Sequence, residues 1–143
     1  MITPEEYFRK PRPRNHEQNA ADLIRRRNAL RAEWMVATGK ECPVDPDTGC
    51  EISGVERGDG DGGYRTPGTR TGAAGSSHRD GRGIDDYDPG DELDTWLDQF
   101  EDGKGGNSKL QQHGLYREHP SATKGWCHLT TKAPGSGKRT FYP

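Results

Sequence analysis

Three side chains with metal-ligating chemistry stand at positions 78, 85 and 128 of the 143-residue sequence. His78 and Asp85 are seven residues apart, and Gly81 and Gly83 between them allow a turn that aims both side chains at one point. His128 lies in an alternating segment and can project from a predicted strand. Two imidazoles and one carboxylate with an open fourth position are the ligand set of a catalytic zinc. The spacing is compatible with a zinc site, but taken alone it is more often found in a simple hydrogen-bonded His–Asp pair.

Three short motifs surround these residues. They are Gly63–Pro67 (GYRTP), Ser76–Asp85 (SSHRDGRGID) and Trp126–His128 (WCH). The second matches the pattern SxHxxGxAxD at Ser76, His78, Gly81 and Asp85, with Gly83 in place of the alanine. In kind and in order, the motifs resemble those of the zinc D-alanyl-D-alanine carboxypeptidase and L-alanyl-D-glutamate endopeptidase family, across about residues 20–132.

The resemblance implies a role for each matched residue. It makes His78, Asp85 and His128 the ligands of Zn²⁺. It makes Arg65 the residue that binds the substrate's carbonyl or carboxylate. Ser76 joins the substrate-binding group indirectly, through a hydrogen bond in the turn that orients the ligands.

The general base is less clearly marked in the sequence. Many family members carry an acidic residue three positions before the last zinc histidine, where this chain has Gly125. The nearest candidates are Glu118 and His119, of which we favour Glu118 because a carboxylate can take a proton from water and pass it to the leaving amine. The alternative is that Glu118 pairs with Arg117 or a surface lysine.

The resemblance also implies a substrate and a setting. We expect a peptidase of peptidoglycan stem peptides, of the D-Ala-D-Ala carboxypeptidase or L-Ala-D-Glu endopeptidase type, working as a phage endolysin or a virion-associated wall hydrolase. Its expected partners are bacterial peptidoglycan and, for a virion component, other virion proteins. One alternative is a non-catalytic virion or wall protein that retains the fold. Another is a metal-dependent amidase of a different small peptide.

The composition is unusually polar, with 27% hydrophobic and 31% charged residues, 20 Gly and 10 Pro. The length fits one domain. A net charge of -2 argues against a nucleic-acid partner. No run of about 18 apolar residues predicts a membrane span, and the first twenty residues lack the apolar core of a secretory signal. We expect synthesis in the host cytoplasm and action on the wall after holin release or from a virion.

The N-terminal third predicts one long helix. Residues 1–17 contain Pro11 and Pro13 and are expected to form an extended arm, followed by a peptidase domain over 18–143. Apolar residues recur at helical spacing over about 19–37, with Arg31 among the residues assigned to the other faces, and Gly39 supplies a stop.

The remainder predicts a second helix and a short antiparallel sheet. Asp88-Pro89 is expected to cap a helix whose apolar stripe ends at Phe100, and the nine acidic groups of residues 85–102 indicate a solvated face. Strands are predicted near residues 50–55, 114–117, 126–132 and 138–142. The fold class is therefore α+β: a small single domain with helices packed on a short antiparallel sheet and a zinc site in the cleft.

The three cysteines predict no disulfide framework. Cys42 and Cys50 flank a Pro/Gly loop and could pair or share a metal, but two reduced thiols are the more common state of a chain made in the cytosol. Cys127 should face away from His128 if both lie on one strand.

Overall fold

The computed structural model describes residues 1–9, 14–54, 62–65, 77–100 and 108–142. The helices are α1 (Pro4–Tyr7), α2 (Arg14–Thr38), α3 (Glu92–Asp98) and α4 (Lys109–Gln112). The strands are β1 (Gly83–Tyr87), β2 (Tyr116–Glu118), β3 (Trp126–Thr130) and β4 (Thr140–Phe141). Two 3₁₀ turns span Ser77–Asp80 and Pro120–Ala122.

The long helix α2 confirms the predicted amphipathic helix and begins earlier than expected. Its apolar stripe is buried, and it ends at Thr38 before Gly39, which has a left-handed φ of 69°. The assignment of Arg31 to a polar face was wrong, because Arg31 is fully buried, and Arg27 is fully buried as well. Both point toward the sheet and pair with Asp86 of β1.

The extended arm predicted for residues 1–17 is not found in the described part of that segment. Residues 4–7 form α1, whose N-terminus is closed by a capping box between Thr3 and Glu6. Tyr7 and Phe8 join the hydrophobic core, and the Tyr7 hydroxyl donates to the carbonyl of Gly83 at 2.8 Å. The segment therefore packs against the strand that carries Asp85.

The sheet has four strands in the order β1-β3-β2-β4 and is mixed, whereas an antiparallel sheet was expected. β3 pairs antiparallel with both β1 and β2. β4 lies on the free edge of β2 and pairs parallel with it. The chain reverses direction after β2 and again after β3. β4 therefore runs in the same direction as β2, beside which it lies. Of the predicted strand at residues 50–55, only two bridges form in the described residues, between Asp45 and Cys50 and between Ile52 and Asp86.

The register of β1 and β3 places two of the predicted metal ligands on one face of the sheet and the neighbouring Asp86 and Cys127 on the other. Asp85 lies opposite His128, whereas the next pair, Asp86 and Cys127, points to the face covered by α2. Because consecutive pairs of the register point to opposite faces, buried Cys127 faces away from His128, as predicted. Cys42, Cys50 and Cys127 are all free thiols.

The acidic stretch is not the solvated face that its composition indicated. Asp85, Asp86, Asp88 and Asp94 are buried. Helix α3 begins at Glu92, three residues later than the Pro89 start that was predicted. The carboxylate of Asp88 nevertheless caps the N-terminus of α3, because it accepts from the backbone N–H groups of residues 93 and 94. None of the helices within the described ranges is long and apolar enough to cross a membrane.

Candidate metal centre

Three ligand atoms converge on the side of the sheet opposite α2. The Nδ1 atom of His128 lies 3.0 Å from Oδ1 of Asp85 and 3.2 Å from Nε2 of His78. The same Nε2 lies 3.3 Å from Oδ1 of Asp85. All three side chains are buried. The predicted residues therefore form one tight triangle that could hold a metal ion.

Local structure explains why residues so far apart in sequence meet. The β1–β3 register places Asp85 and His128 directly opposite each other on one face. His78 sits in the 3₁₀ turn just before β1, and Gly81 closes that turn with a left-handed φ of 83°. A Cβ at Gly81 would lie 2.5 Å from the carbonyl oxygen of His16 in α2. The turn can pack against α2 this closely only with glycine there.

Hydrogen bonding orients the ring of His78. Its Nδ1 lies 2.8 Å from the carbonyl oxygen of Gly63, which can only accept. Nδ1 therefore donates to that carbonyl, and Nε2 is the ring nitrogen that faces the triangle. There Nε2 lies beside Oδ1 of Asp85, where it can donate to that oxygen or, when deprotonated, bind a cation together with it.

Ser77 is the corresponding partner of His128. Its Oγ lies 3.4 Å from Nε2 of His128, the nitrogen turned away from the triangle. That contact holds the ring so that Nδ1 faces the centre of the triangle, beside Oδ1 of Asp85. Ser77 is buried, and its role was not predicted from the sequence because the motif assigns the orienting hydrogen bond to its neighbour, Ser76. Ser76 itself lies outside the described residues.

Arg65 approaches the cluster from the short segment 62–65. Its Nη2 lies 3.3 Å from Oδ2 of Asp85, and the side chain is buried. Burial raises the pKa of the Asp85 carboxyl, but the neighbouring His78 and His128 lower it by more, so the pKa lies below its ordinary value. Asp85 is therefore ionised and available as a ligand at neutral pH.

Segment 62–65 is anchored by backbone contacts that composition could not reveal. The carbonyl of Gly62 accepts from the N–H of Asp85, and the N–H of Arg65 donates to the carbonyl of His78. A Cβ at Gly63 would lie 2.6 Å from the carbonyl oxygen of Tyr7. The rest of the GYRTP motif, residues 66 and 67, lies outside the described residues.

The two candidate bases lie on and just beyond β2. The β2–β3 pairing runs from Tyr116 opposite Thr130 to Arg117 opposite Leu129. Continuing it by one residue brings half-buried Glu118 opposite His128, on the face of the metal cluster.

His119 follows β2 and is held in a different set of contacts. Its Nδ1 accepts from the Ser121 backbone N–H at 3.2 Å, and its ring stacks on Tyr142 with centroids 4.5 Å apart. Gly125, where the family pattern has an acid, has a φ of 90°.

A cleft of about 340 Å³ opens beside the cluster. Tyr87 and Trp126 line this cleft and lie opposite each other on β1 and β3. They are two residues along each strand from Asp85 and His128, and therefore lie on the same face of the sheet. The remaining lining residues are Asp45, Pro46, Asp47, Ser53, Pro89, Lys124 and Gly125.

The fold and site define a small mixed α/β protein with a buried His/Asp/His group that could hold a metal ion. Comparisons with protein-family models, with curated protein sequences and with solved structures find no match to this chain. Function is therefore inferred from the motifs and from the geometry of this site.

Proposed function

We propose that this protein is a zinc-dependent peptidase that hydrolyses stem peptides of bacterial peptidoglycan. The single observation that carries the proposal is the convergence of His78, Asp85 and His128, with the outer nitrogens of both imidazoles turned toward oxygen atoms of Gly63 and Ser77. A simple hydrogen-bonded His–Asp pair accounts for His128 and Asp85. It does not call for the second imidazole, His78, whose Nε2 lies 3.3 Å from the same carboxylate oxygen.

The donor set and its spacing support zinc as the ion. Ligands at the zinc–nitrogen and zinc–oxygen distances of a tetrahedral site lie roughly 3.3–3.4 Å from one another. The three atoms here are separated by 3.0, 3.2 and 3.3 Å. Two imidazoles and one carboxylate leave a fourth position for water or substrate, as in catalytic zinc sites. A zinc ion bound there would supply Lewis acidity, activating water and polarising the peptide carbonyl.

The protein's own residues would supply positioning and proton transfer. Arg65 stands beside the cluster with its guanidinium on Asp85, where it can also bind a substrate carbonyl or carboxylate. Glu118 shares the face of His128 and is the favoured base, taking a proton from water and giving it to the leaving amine. The contacts of His119 with Ser121 and Tyr142 favour Glu118 over His119.

Digestion of purified peptidoglycan tests the proposal. Zinc-loaded protein should release free amino groups, and mass spectrometry of the muropeptides should identify the bond that is cut. The variant His78→Ala should release none. His113→Ala is the matched control, because His113 pairs with Glu33 on α2 and should leave the activity intact.

The alternative from another class is a non-catalytic virion or wall protein, and Gly125 at the expected acid position is the observation that favours it. No release above the His78→Ala background, together with no cleavage of a soluble dipeptide, would favour that alternative. Cleavage of a soluble dipeptide with the wall left intact would instead identify an amidase of another small peptide.

A further inference from the structure

The cleft beside the metal cluster carries opposite charges on its two sides. Asp47 approaches from the loop that borders β1, and Lys124 from the start of β3. Both side chains are exposed, and neither forms an ion pair within the part of the chain that the structure describes. The aromatic rings of Tyr87 and Trp126 lie between them, each half-buried.

The placement of these groups follows from the sheet. The loop meets β1 at the bridge between Ile52 and Asp86, and β1 pairs on its other side with β3. Asp47 lies in the turn between Asp45 and Cys50 of that loop, and Lys124 precedes β3, so the two charges reach the cleft from opposite sides of β1. The cleft volume of about 340 Å³ leaves room for one amino-acid side chain that ends in charged groups.

The carboxylate of Asp45 fixes the backbone of the loop that carries Asp47. Its Oδ1 accepts from the N–H of Asp47 at 2.8 Å, and its Oδ2 accepts from the N–H of Gly54 at 2.8 Å. Because these bonds engage both oxygens of buried Asp45, Asp47 is the carboxylate presented to a ligand.

We propose that this cleft recognises a substrate side chain that ends in both an ammonium and a carboxylate group, as in diaminopimelate, in a residue near the bond that is cut. The ammonium lies against Asp47 and the aromatic rings, and the carboxylate lies against Lys124. This inference rests on the proposed function for its substrate class. It adds a preference for stem peptides with diaminopimelate over those with lysine, whose side chain carries the ammonium alone.

Binding of two capped amino acids tests the assignment without requiring cleavage. The probes are Nα-acetyl-lysine amide and the corresponding Nα-acetyl amide of diaminopimelate. Binding to zinc-loaded, ¹⁵N-labelled protein is followed at the Trp126 indole N–H, whose resonance is identified with Trp126→Phe. The diaminopimelate probe should bind about three- to fivefold more tightly, the effect expected of one partly exposed ion pair.

Two variants and one control locate the preference. Lys124→Gln should bring the two affinities together, whereas Lys138→Gln, an exposed lysine outside the cleft, should leave the preference unchanged. Asp47→Asn should weaken both probes, because both carry the ammonium.

Equal affinities in the wild type, a preference that survives Lys124→Gln, or no change at the Trp126 resonance would overturn the assignment. Binding with the expected preference but no cleavage of peptidoglycan would instead reject the peptidase proposal and leave the cleft assignment standing.

Discussion

At the scale of single residues, the site depends on atoms that are not metal ligands. The carbonyl of Gly63 and the hydroxyl of Ser77 contact the outer nitrogens of the two imidazoles and thereby orient the inner ones. Partners of this kind commonly change metal affinity by about 10- to 100-fold when they are removed. The glycine next to the turn belongs to the same arrangement, because it leaves space for Ser77.

Gly83→Ala should weaken zinc binding. A Cβ at Gly83 would lie 2.2 Å from Oγ of Ser77, so the hydroxyl would have to rotate away from His128. We expect zinc affinity to fall by about 10-fold or more in competition with a chromophoric chelator.

Ser77→Ala should cause a loss similar to that of Gly83→Ala, and combining the two should add little, because both act through the same hydrogen bond. Gly135→Ala is the control, since nothing lies within 4 Å of a Cβ there. An unchanged zinc affinity in Gly83→Ala would show that Ser77 does not orient His128.

Glu118→Gln should separate catalysis from metal binding. If Glu118 transfers the proton, kcat should fall by about 10²- to 10⁴-fold while zinc stoichiometry remains at one per chain. His119→Gln should change kcat far less, because that ring is bound to Ser121 and stacked on Tyr142. The reverse ranking of the two variants would assign the base to His119.

At the scale of elements, a buried ion-pair network fixes β1 against α2. Asp86 accepts from Arg27 and, at 3.0 and 2.6 Å, from Arg31, and all three side chains are buried. Because side chains alternate along a strand, the preceding residue, Asp85, then lies on the opposite face together with the two histidines. The network thus sets the orientation on which the metal centre depends.

Asp86→Asn should destabilise the fold by about 3–5 kcal/mol, because it removes the carboxylate that pairs with buried Arg31 and leaves buried Arg27 with Glu51 alone. Urea unfolding monitored by circular dichroism measures the change. Asp22→Asn is the matched control, since the pairs of Asp22 with Arg25 and Arg26 lie at the surface and should contribute no more than about 1 kcal/mol. A loss at Asp86 as small as that at Asp22 would contradict the structural role assigned to the network.

The ion pairs of Asp86 with Arg27 and Arg31 also predict that the stability of the fold depends on pH. Burial raises the pKa of Asp86, but Arg27 and Arg31 lower it by more, so the pKa in the folded state lies below its ordinary value. The resulting stability is present above the unfolded-state pKa of about 4 and is lost as the pH falls through the folded-state value. The unfolding free energy of the wild type should therefore fall more steeply in acid than that of Asp86→Asn. Parallel curves would show that Asp86 is not the titrating group.

The sequence predicted helices and strands where local periodicity was strong, and it predicted the ligands where spacing and motif coincided. The stripe of α2 and the alternation around His128 are local patterns of this kind. The burial of Arg31 and Asp86 depends on two distant segments meeting, so composition assigned both to solvent. The parallel pairing of β4 and the contact of Ser77 with His128 likewise arise only from tertiary structure.

At the scale of the whole molecule, ion pairs occupy positions that a less polar chain would fill with apolar side chains. Within the described residues, Arg27, Arg31 and Arg117 are among the largest fully buried side chains, and each pairs with an acidic residue. This accounts for a compact core in a chain with 27% hydrophobic residues. Removing one partner of such a pair is costly, so a core of this kind tolerates few substitutions.

Chelation of the metal should lower the melting temperature. At a zinc concentration about 1,000 times the dissociation constant, binding contributes about 4 kcal/mol to folding, which corresponds to about 10 °C for a chain of this size. Differential scanning calorimetry with and without a chelator measures the shift. An unchanged melting curve would show that the core and its ion pairs suffice without metal.

The most direct test of the account is zinc binding by the intact protein, measured by native mass spectrometry and isothermal titration. We predict one zinc ion per chain, with binding abolished in His78→Ala and His128→Ala and retained in His113→Ala. Absence of binding by the wild type, or retention of the ion in both cluster variants, would contradict the claim that His78, Asp85 and His128 form a metal centre.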